Sequence, residues 1–419
     1  MEQSTEKRGS LRGLFQRDFT LMVVGQVISL FGNGILRFAL SMAVLDMTGS
    51  PAQFAGISAL SMAPTVLLSP FGGLLADRVS RKGIMAALDF LTSGLLLVFF
   101  LAFQVYSEVL LIGGVMMALA VIQSFYSPAV NSSIPLLAEE EHLAAANGVV
   151  TQGSALANLF GPVLGGLLYG LFGLGMILPV SIVCFFLSAV MECFLHIPYE
   201  KRPAEGGVLR TMKADFGAAL QFLTGERKGL LQVLLVVAGL NLFFSPMMNV
   251  GLPCLVKLRL GLPDLLYGVA EAALSVGMIL GGMLSGAASK RVKTSQMHRF
   301  LLLVGIMTLP MGLAVVSGAA PHFSFGVLLV SVAVLMGSCT IFNVTAQTLL
   351  QKMTPPELLG KVMAVTMTAA MCAMPLGQAL YGLLFDWAGK LACLVVWFAG
   401  LMCVLLALPM KKFLKTLEE

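Results

Sequence analysis

The chain has 419 residues, of which 58% are hydrophobic and only 11% are charged. Because soluble proteins carry about 25% charged residues, this composition excludes an ordinary soluble fold. The net charge of +5 does not indicate nucleic-acid binding, since the positions of the basic residues explain it. The seven cysteines are scattered without metal-ligand spacing, which indicates small packing residues.

Apolar runs of about twenty residues recur along the chain, as in 84–103 and 391–410. A bilayer core about 30 Å thick needs about 20 apolar residues per helix, so these runs predict membrane spans. In chain order, twelve spans are predicted over 19–45, 52–76, 83–104, 109–133, 147–171, 176–196, 229–255, 264–288, 299–318, 323–350, 361–385 and 390–410. We therefore predict an all-α polytopic membrane protein with 12 transmembrane helices.

Basic residues are distributed unevenly between the two sides of this membrane topology. Twelve spans place both ends of the chain on one side, and 22 of the 26 basic residues lie there. Only Lys257, Arg259 and Lys390 lie on the opposite side, and Arg37 lies inside a span. Since basic residues collect in cytoplasmic loops, we predict a multi-pass protein of the cell (plasma) membrane with both termini cytoplasmic.

The longest polar stretch divides the chain between spans six and seven. The predicted regions are a cytoplasmic arm 1–18, a six-helix bundle 19–197, a cytoplasmic linker 198–228 with an amphipathic helix, a second six-helix bundle 229–410 and a cytoplasmic tail 411–419. The halves resemble each other, because 140–149 aligns with 356–365 at an offset of 216 residues. Duplicated halves are typical of secondary transporters, whose substrate site lies between them near the membrane midplane.

The connection between spans two and three places four charges in the glycine-rich segment 72–83, GGLLADRVSRKG. It resembles the signature loop of the major facilitator superfamily, G-x-L-x-D-R-x-x-R-K. The matching residues are Gly73, Asp77, Arg78, Arg81 and Lys82. Together with the twelve spans and two halves, the resemblance covers essentially the whole chain. It implies the major facilitator fold, with two pseudo-symmetric six-helix halves.

In that family the loop acts as a cytoplasmic latch, which holds the two halves together and breaks when the protein opens inward. The resemblance implies the same role here, with Asp89 as part of the latch network. The alternative is that these bases only set the topology, but that leaves Asp77 and the glycines unexplained. In the second half, Gly286 stands where a carboxylate would be, so the latch is expected to be one-sided.

Span five carries small residues at every fourth position. They are Gly153, Ala157, Gly161 and Gly165, and Pro162 and Gly166 come directly after the last two. This pattern is similar to the antiporter motif of the same family, with Ala157 in place of one glycine, and the resemblance implies export in exchange for protons. The alternative is close helix packing with no bearing on transport direction.

Spans one, four, seven and ten line the central cavity in that family, and each carries a polar stripe here. The predicted cavity residues are Gln26, Asn33 and Arg37 in span one, Gln123, Ser127 and Asn131 in span four, Asn241, Ser245 and Asn249 in span seven, and Asn343 and Gln347 in span ten. Amides in hydrocarbon are costly unless they find partners or water. Interhelical hydrogen bonding is the alternative for each residue taken singly.

Ionisable residues inside predicted spans are candidates for proton coupling. Arg37 and Glu271 both lie in the outer half of the membrane, so Glu271 could carry the coupling proton beside Arg37. A static salt bridge is the alternative. Span four lacks the arginine that many proton-coupled drug antiporters of the family carry, and Arg37 could replace it. Glu192, near the cytoplasmic end of span six, is weakly informative.

The combined pattern predicts a proton-coupled exporter of amphipathic small molecules that works by alternating access. The segments 17–36, 77–82 and 135–149, together with Asp89, also resemble the branch with macrolide efflux proteins and siderophore exporters. The alternative is a transporter of a specific nutrient, metabolite or lipid. A membrane enzyme or sensor is disfavoured because no phosphate-binding loop, metal cluster or nucleophile pattern is present. We expect a monomer in the lipid bilayer, with no cofactor or metal and no nucleic-acid partner.

Overall fold

The computed structural model describes residues 16–106, 108–139, 142–197, 216–226, 228–288, 296–316 and 320–416. The first six long helices are α1 (Arg17–Thr48), α2 (Pro51–Arg78), α3 (Arg81–Phe103), α4 (Val109–Leu137), α5 (Leu143–Phe172) and α6 (Leu174–Cys193). The second six are α7 (Lys228–Phe243), α8 (Asp264–Ala288), α9 (Met297–Val316), α10 (Pro321–Met353), α11 (Pro356–Ala388) and α12 (Ala392–Thr416). No strand occurs in these described ranges.

Each predicted span corresponds to one of these helices. Within the described residues, eleven stretches are long and apolar enough to cross a membrane. The last of them, Leu358–Met410, contains both α11 and α12, which are separated by a short 3-10 turn at Gly389–Leu391. The all-α polytopic fold is therefore confirmed. Large apolar side chains such as Leu110 (81% exposed) and Trp387 (83%) remain outside the protein core, as expected for surfaces that face lipid.

Glycines end helices where the chain must turn sharply. Gly173 joins α5 to α6 with a φ of 60°, and Gly389 ends α11 with a φ of 47°. Both residues donate their backbone N–H to a carbonyl four residues earlier, Tyr169 and Phe385 respectively. Positive φ is favourable for glycine because it has no Cβ, so these residues let neighbouring spans reverse direction within a few residues.

The chain forms two compact units. Unit 1 contains residues 1–47 and 60–204, and unit 2 contains residues 48–59 and 205–419. In unit 1, α3 packs against α6 and α4, and α5 packs against α6. In unit 2, α8 packs against α10, α9 against α10 and α12, and α7 against α11. Most of the predicted amphipathic linker helix lies outside the described residues, although 216–221 is helical.

Equivalent glycines make corresponding helix contacts in the two units. A Cβ added at Gly161 of α5 would lie 3.2 Å from the Cα of Gly34 on α1. A Cβ added at Gly377 of α11 would overlap the carbonyl oxygen of Leu242 on α7. These two glycines are related by the 216-residue offset in the sequence. The duplicated pattern therefore produces the same kind of close backbone approach in each half.

The helix that begins with α7 is irregular. After Phe243 it continues into two π-helical turns, Met247–Gly251 and Cys254–Arg259. A proline comes directly before each turn, at Pro246 and Pro253. Proline lacks a backbone N–H and displaces the preceding carbonyl, so it breaks the regular i to i−4 hydrogen-bond pattern. The structure thus places a distorted segment in the second half of predicted span seven.

Candidate functional site

The predicted cavity residues lie mainly on exposed or half-buried helix faces. Half-buried members are Asn33, Gln123, Asn241, Ser245 and Asn343, and exposed members are Arg37, Ser127, Asn131, Asn249 and Gln347. Gln26 is buried. In α4 the opposite helix face is buried in unit 1 through residues such as Tyr126 and Ser133. Most residues of each stripe are therefore accessible from outside their own helix bundle. That the four stripes line one common cavity stays a prediction.

Two of the amides have contacts within their own helix. The Asn241 side-chain nitrogen donates to the backbone oxygen of Val237 at 3.0 Å, and the Asn343 nitrogen approaches the Cys339 sulfur at 3.7 Å. The first contact leaves the Asn241 side-chain oxygen available as an acceptor, and the second is a weak hydrogen bond. Asn249 lies in the first π turn, where a wider helix frees backbone groups. Sequence reasoning placed Asn249 on the stripe but missed the distortion, which Pro246 could have indicated.

The glycine motif on α5 makes the flat packing face that its spacing predicts. A Cβ at Gly153 would lie 3.3 Å from the Val27 side chain, and one at Gly165 would lie 3.0 Å from Phe38. Both contacts are with α1, which is also the partner of Gly161. Pro162 is half-buried and Gly166 is buried. Small residues allow the two backbones to approach, and the link between this motif and export stays a prediction.

Replacing Gly161 with leucine is expected to lower the free energy of unfolding by about 1–3 kcal/mol, because the added side chain would meet the α1 backbone. Gly148→Leu is the matched control, since Gly148 lies on the same helix with open space around it. The control should be neutral or stabilise the protein by up to about 1 kcal/mol, because leucine is a better helix former than glycine. Thermal unfolding of both purified variants measures the difference. Equal stability of the two variants would show that α1 and α5 are not tightly packed at this point.

The connection between α2 and α3 is described only in part. The side chains of Asp77 and Arg78, and the surroundings of Gly73, lie outside the described residues. Ser80 caps α3, since its hydroxyl oxygen accepts from the Gly83 N–H at 3.3 Å. The Arg81 side-chain nitrogen donates to the Ser132 hydroxyl on α4 at 3.0 Å. The neighbouring Lys82 is half-buried, and the latch role of the whole segment stays a prediction.

The two residues proposed for proton coupling lie in different units. Arg37 is on α1 in unit 1 and is exposed, whereas Glu271 is on α8 in unit 2 and is half-buried. The Tyr267 hydroxyl, one helical turn before Glu271, donates to a Glu271 carboxylate oxygen. Tyr267 is itself buried, so it holds this carboxylate in a fixed orientation. The proposed pairing of Arg37 with Glu271 stays a prediction.

The predicted outer end contains further charged contacts. Lys257 and Asp264 form an ion pair in unit 2, with side chains 11% and 17% exposed. This contact neutralises one of the three bases predicted on that side. In unit 1 the Tyr169 hydroxyl donates to Asp46 at 3.0 Å, although Asp46 itself is exposed. These contacts stabilise helix ends and involve none of the predicted cavity amides.

A buried acidic cluster in unit 1 was not predicted from the sequence. Asp89 on α3 is 2% exposed and Glu192 on α6 is 1% exposed. The Tyr126 hydroxyl on α4 donates to Glu192 Oε1 at 2.7 Å. Ser29 and Ser188 lie beside the Asp89 carboxylate. The sequence contains all five residues, but their spacing along four separate helices gives no signal that the side chains meet.

Metal binding and disulfide chemistry have no support in the described residues. No group of three or more His, Cys, Asp or Glu side chains there could hold a metal ion. All seven cysteines are free thiols, and four of them are buried. The buried cysteines are Cys254, Cys339, Cys393 and Cys403. Their positions agree with the predicted packing role.

Comparison with known proteins agrees with this architecture over nearly the whole chain. The "Macrolide efflux protein A" of Streptococcus pyogenes is 25% identical over 406 residues, which cover 96% of this chain and 97% of that protein. The "Lysophospholipid transporter LplT" of Photorhabdus laumondii is 28% identical over 306 residues, which cover 70% of this chain and 72% of that protein.

A solved structure and a family profile identify the fold. The bacterial homologue of the iron transporter ferroportin, in its inward-facing state, superposes with a TM-score of 0.72. That match has 18% sequence identity and covers 94% of this chain and 98% of the other. The profile of the Major Facilitator Superfamily matches residues 22–322. The twelve helices, the structural likeness and the profile lead to the same conclusion: this chain is a member of the Major Facilitator Superfamily of membrane transporters.

Proposed function

We propose that this transporter is a proton-coupled exporter of amphipathic small molecules that works by alternating access. The observation that carries the proposal is the full-length similarity to a protein named for macrolide efflux, over 96% of this chain. Polar stripes on four otherwise apolar helices support it, because exposed amides in hydrocarbon are costly unless a wet cavity solvates them. Such a cavity could hold molecules with both polar and apolar parts.

The direction of transport is proposed from the α5 motif. Its glycines bring α5 against α1, and α1 carries three of the predicted cavity residues, Gln26, Asn33 and Arg37. A movement of α5 would therefore also move one cavity wall. Sequence patterns of this kind are associated with exporters in the family, which favours export over uptake. We further propose that both termini are cytoplasmic, on the distribution of the basic residues, and that the protein is a monomer in the plasma membrane.

Glu271 and Arg37 are the proposed coupling residues. Glu271 is half-buried within α8 and accepts a hydrogen bond from Tyr267, so its charge state would depend on its immediate surroundings. An arginine in the same half of the membrane could stabilise the ionised form in one conformation. Alternating access would separate and rejoin the two groups, and proton binding would accompany each cycle. The α2–α3 segment would act as the cytoplasmic latch during the same cycle.

A lipid transporter is the second candidate function. The similarity to a protein named as a lysophospholipid transporter favours it, since that match covers 70% of this chain. Lysophospholipids are themselves amphipathic, so the same apolar cavity with polar stripes could accommodate them. The two candidates differ in the headgroup chemistry that the polar residues would need to recognise.

An efflux assay in cells that lack their own major pumps tests the proposal. Cells that express the chain are loaded with macrolides, dyes or lipophilic cations, with and without an uncoupler. We expect lower accumulation of at least one compound, and we expect the uncoupler to restore accumulation. Higher accumulation would overturn export, and efflux that resists the uncoupler would overturn proton coupling. No effect on the panel, together with movement of labelled lysophospholipid, would favour the lipid transporter instead.

A further inference from the structure

We propose that Asp89 and Glu192 form a second proton-binding site, inside unit 1, in which the two buried carboxyl groups share one proton. The site is separate from Glu271, which lies on α8 in unit 2. Its existence depends only on the chemistry of unit 1. A role for this proton in transport would rest on the proposed function, so the test below measures the bound proton directly.

The helices bring these acids together at one end of the bundle. Asp89 lies eight residues after Arg81, the first residue of α3, so it is about 12 Å from the start of that helix. Glu192 is the last residue but one of α6, which packs against α3. Both acids therefore lie near the predicted cytoplasmic boundary, on two helices that pack together, and the charge of Asp89 acts on Glu192.

The hydrogen-bond donors around the two carboxyl groups are too few for two ionised carboxylates. The Tyr126 hydroxyl donates a hydrogen bond to Glu192 Oε1, but Glu192 Oε2 and Asp89 Oδ2 have no hydrogen-bond partner. The Ser188 hydroxyl donates to the backbone oxygen of Gly25 at 3.0 Å, so its single proton is already used. Ser188 can only accept from Asp89, and Ser29 remains as one possible donor. A proton on either carboxyl group supplies the missing donor.

Electrostatics favour the same arrangement. The groups that face the two acids are the Tyr126 phenol on α4 and the Ser29 and Ser188 hydroxyls on α1 and α6. No basic side chain in the described part of the chain is among the groups acting on either acid. Burying even one uncompensated carboxylate costs several kcal/mol, and two adjacent negative charges repel each other in addition. Binding one proton removes that repulsion.

The surroundings keep water from supplying the missing hydrogen bonds. Tyr126 belongs to an apolar cluster that includes Phe19, Met22, Met85 and Leu195, all with no exposed surface. At the surface beyond the end of α6, His196 Nδ1 lies 3.6 Å from Asp18 Oδ1. The His196 side chain is 73% exposed, so it is solvated and faces water. Apolar side chains therefore enclose the two carboxyl groups. Their polar neighbours are the Tyr126 and serine hydroxyls, which can hydrogen-bond a protonated carboxyl group.

Infrared difference spectroscopy of the full chain in lipid nanodiscs tests this site. A protonated carboxyl group has a carbonyl stretch that is distinct from that of a carboxylate and shifts in D₂O. We expect this band in the wild type near neutral pH and its loss in Asp89→Asn/Glu192→Gln, which keeps the size of both side chains. Asp46→Asn is the matched control and should keep the band, since Asp46 is an exposed acid outside the cluster. Absence of the band in the wild type, or its persistence in the double variant, would overturn the proposal.

A second variant keeps the test decisive if the double variant does not fold. Tyr126→Phe retains both acids but removes the hydroxyl that donates to Glu192. We expect the carbonyl band to shift, because the hydrogen bonding of the pair changes, and an unchanged frequency would overturn the assignment. Added NaCl at constant pH should leave the wild-type band in place. Loss of the band when Na⁺ is added would show that the site binds a metal cation, and it would overturn the proposed proton site.

These spectra separate the site from the proposed function, because they need neither substrate nor a proton gradient. Uncoupler-sensitive efflux without a band that depends on Asp89 and Glu192 would overturn the site and leave proton-coupled export standing. A band that depends on these residues, together with efflux that resists the uncoupler, would support the site and overturn the coupling. Loss of the band in Glu271→Gln instead would assign the bound proton to Glu271 and overturn the site in unit 1.

Discussion

Glu271→Gln is expected to abolish uphill export while leaving downhill movement of substrate largely intact. The substitution keeps the shape of the side chain and a group that can accept from Tyr267. It removes the ability to bind and release a proton at this position. A carrier without its coupling group can still alternate between conformations, but it can only equilibrate the substrate across the membrane.

The expected magnitude follows from the proton gradient. One pH unit corresponds to 1.36 kcal/mol per proton, so an exchange of one proton per substrate supports about a tenfold substrate gradient. In proteoliposomes with a pH difference of about one unit, the wild type should approach this ratio. The variant should stay near equal concentrations on both sides. Radiolabelled or fluorescent substrate, chosen from the efflux panel, measures the ratio directly.

A matched control separates loss of coupling from loss of a negative charge in general. Glu108 is an exposed acid directly before α4, and its side chain makes no capping hydrogen bond. Glu108→Gln should therefore keep the wild-type gradient. Unchanged uphill transport in Glu271→Gln would remove Glu271 from the coupling mechanism. In that case the carboxyl would be part of a static polar contact, which was the alternative from the sequence.

Gly281→Ala is expected to destabilise unit 2 strongly, because its single added methyl group would enter the backbone of α10. A Cβ at Gly281 overlaps the carbonyl oxygen of Gly337 and lies 2.9 Å from the Gly337 Cα. One turn earlier, a Cβ at Gly277 overlaps the carbonyl oxygen of Ala333 in the same way. Because these atoms belong to the backbone, they cannot move aside as a side chain can. The helices α8 and α10 would therefore have to move apart where they pack together.

The neighbouring glycine provides the control. Gly282 has open space where its Cβ would be. In a helix, replacing Gly with Ala stabilises by about 0.5–1 kcal/mol, because the unfolded chain loses freedom. Gly282→Ala should show this gain. At Gly281 the overpacking cost of about 1–3 kcal/mol or more exceeds the gain, so the sign reverses.

Thermal unfolding in detergent measures both variants. A thiol-reactive dye is a suitable probe, since four of the free cysteines are buried and become reactive on unfolding. We expect Gly281→Ala to unfold at a lower temperature than the wild type and Gly282→Ala at the same or a higher temperature. The reverse order would show that α8 and α10 are packed differently at this point.

The helix contacts illustrate what could be predicted from the chain and what could not. The α5 glycines were recognised because they repeat at every fourth position and match a known motif, and the structure places them against α1. Gly277 and Gly281 have the same spacing, yet no close packing was predicted for them. Their partner Gly337 is about 60 residues away on α10, and nothing local indicates which helix a small residue will meet.

The acidic residues provide the second comparison. Arg37 and Glu271 attracted attention because an ionisable residue in the middle of an apolar run stands out in the sequence. Asp89 and Glu192 lie near span ends, where charged residues are common, so Asp89 was assigned only to the latch network and Glu192 was weakly informative. In the structure, Asp89 and Glu192 are almost fully buried, whereas Arg37 is exposed. Burial of a side chain depends on neighbouring helices and therefore on tertiary packing.

The sequence by itself determined the membrane class, the twelve spans and the family of this protein. These properties depend on local hydrophobic length, on charge distribution and on short motifs, all of which act within one segment of the chain. Only the tertiary structure decided that Tyr126, Asp89 and Glu192 meet, and that Gly281 touches the backbone of α10. Since lipid is as apolar as most helix surfaces, hydrophobicity alone does not select helix partners. Close packing and buried hydrogen bonds select them, and these depend on residues from distant parts of the chain.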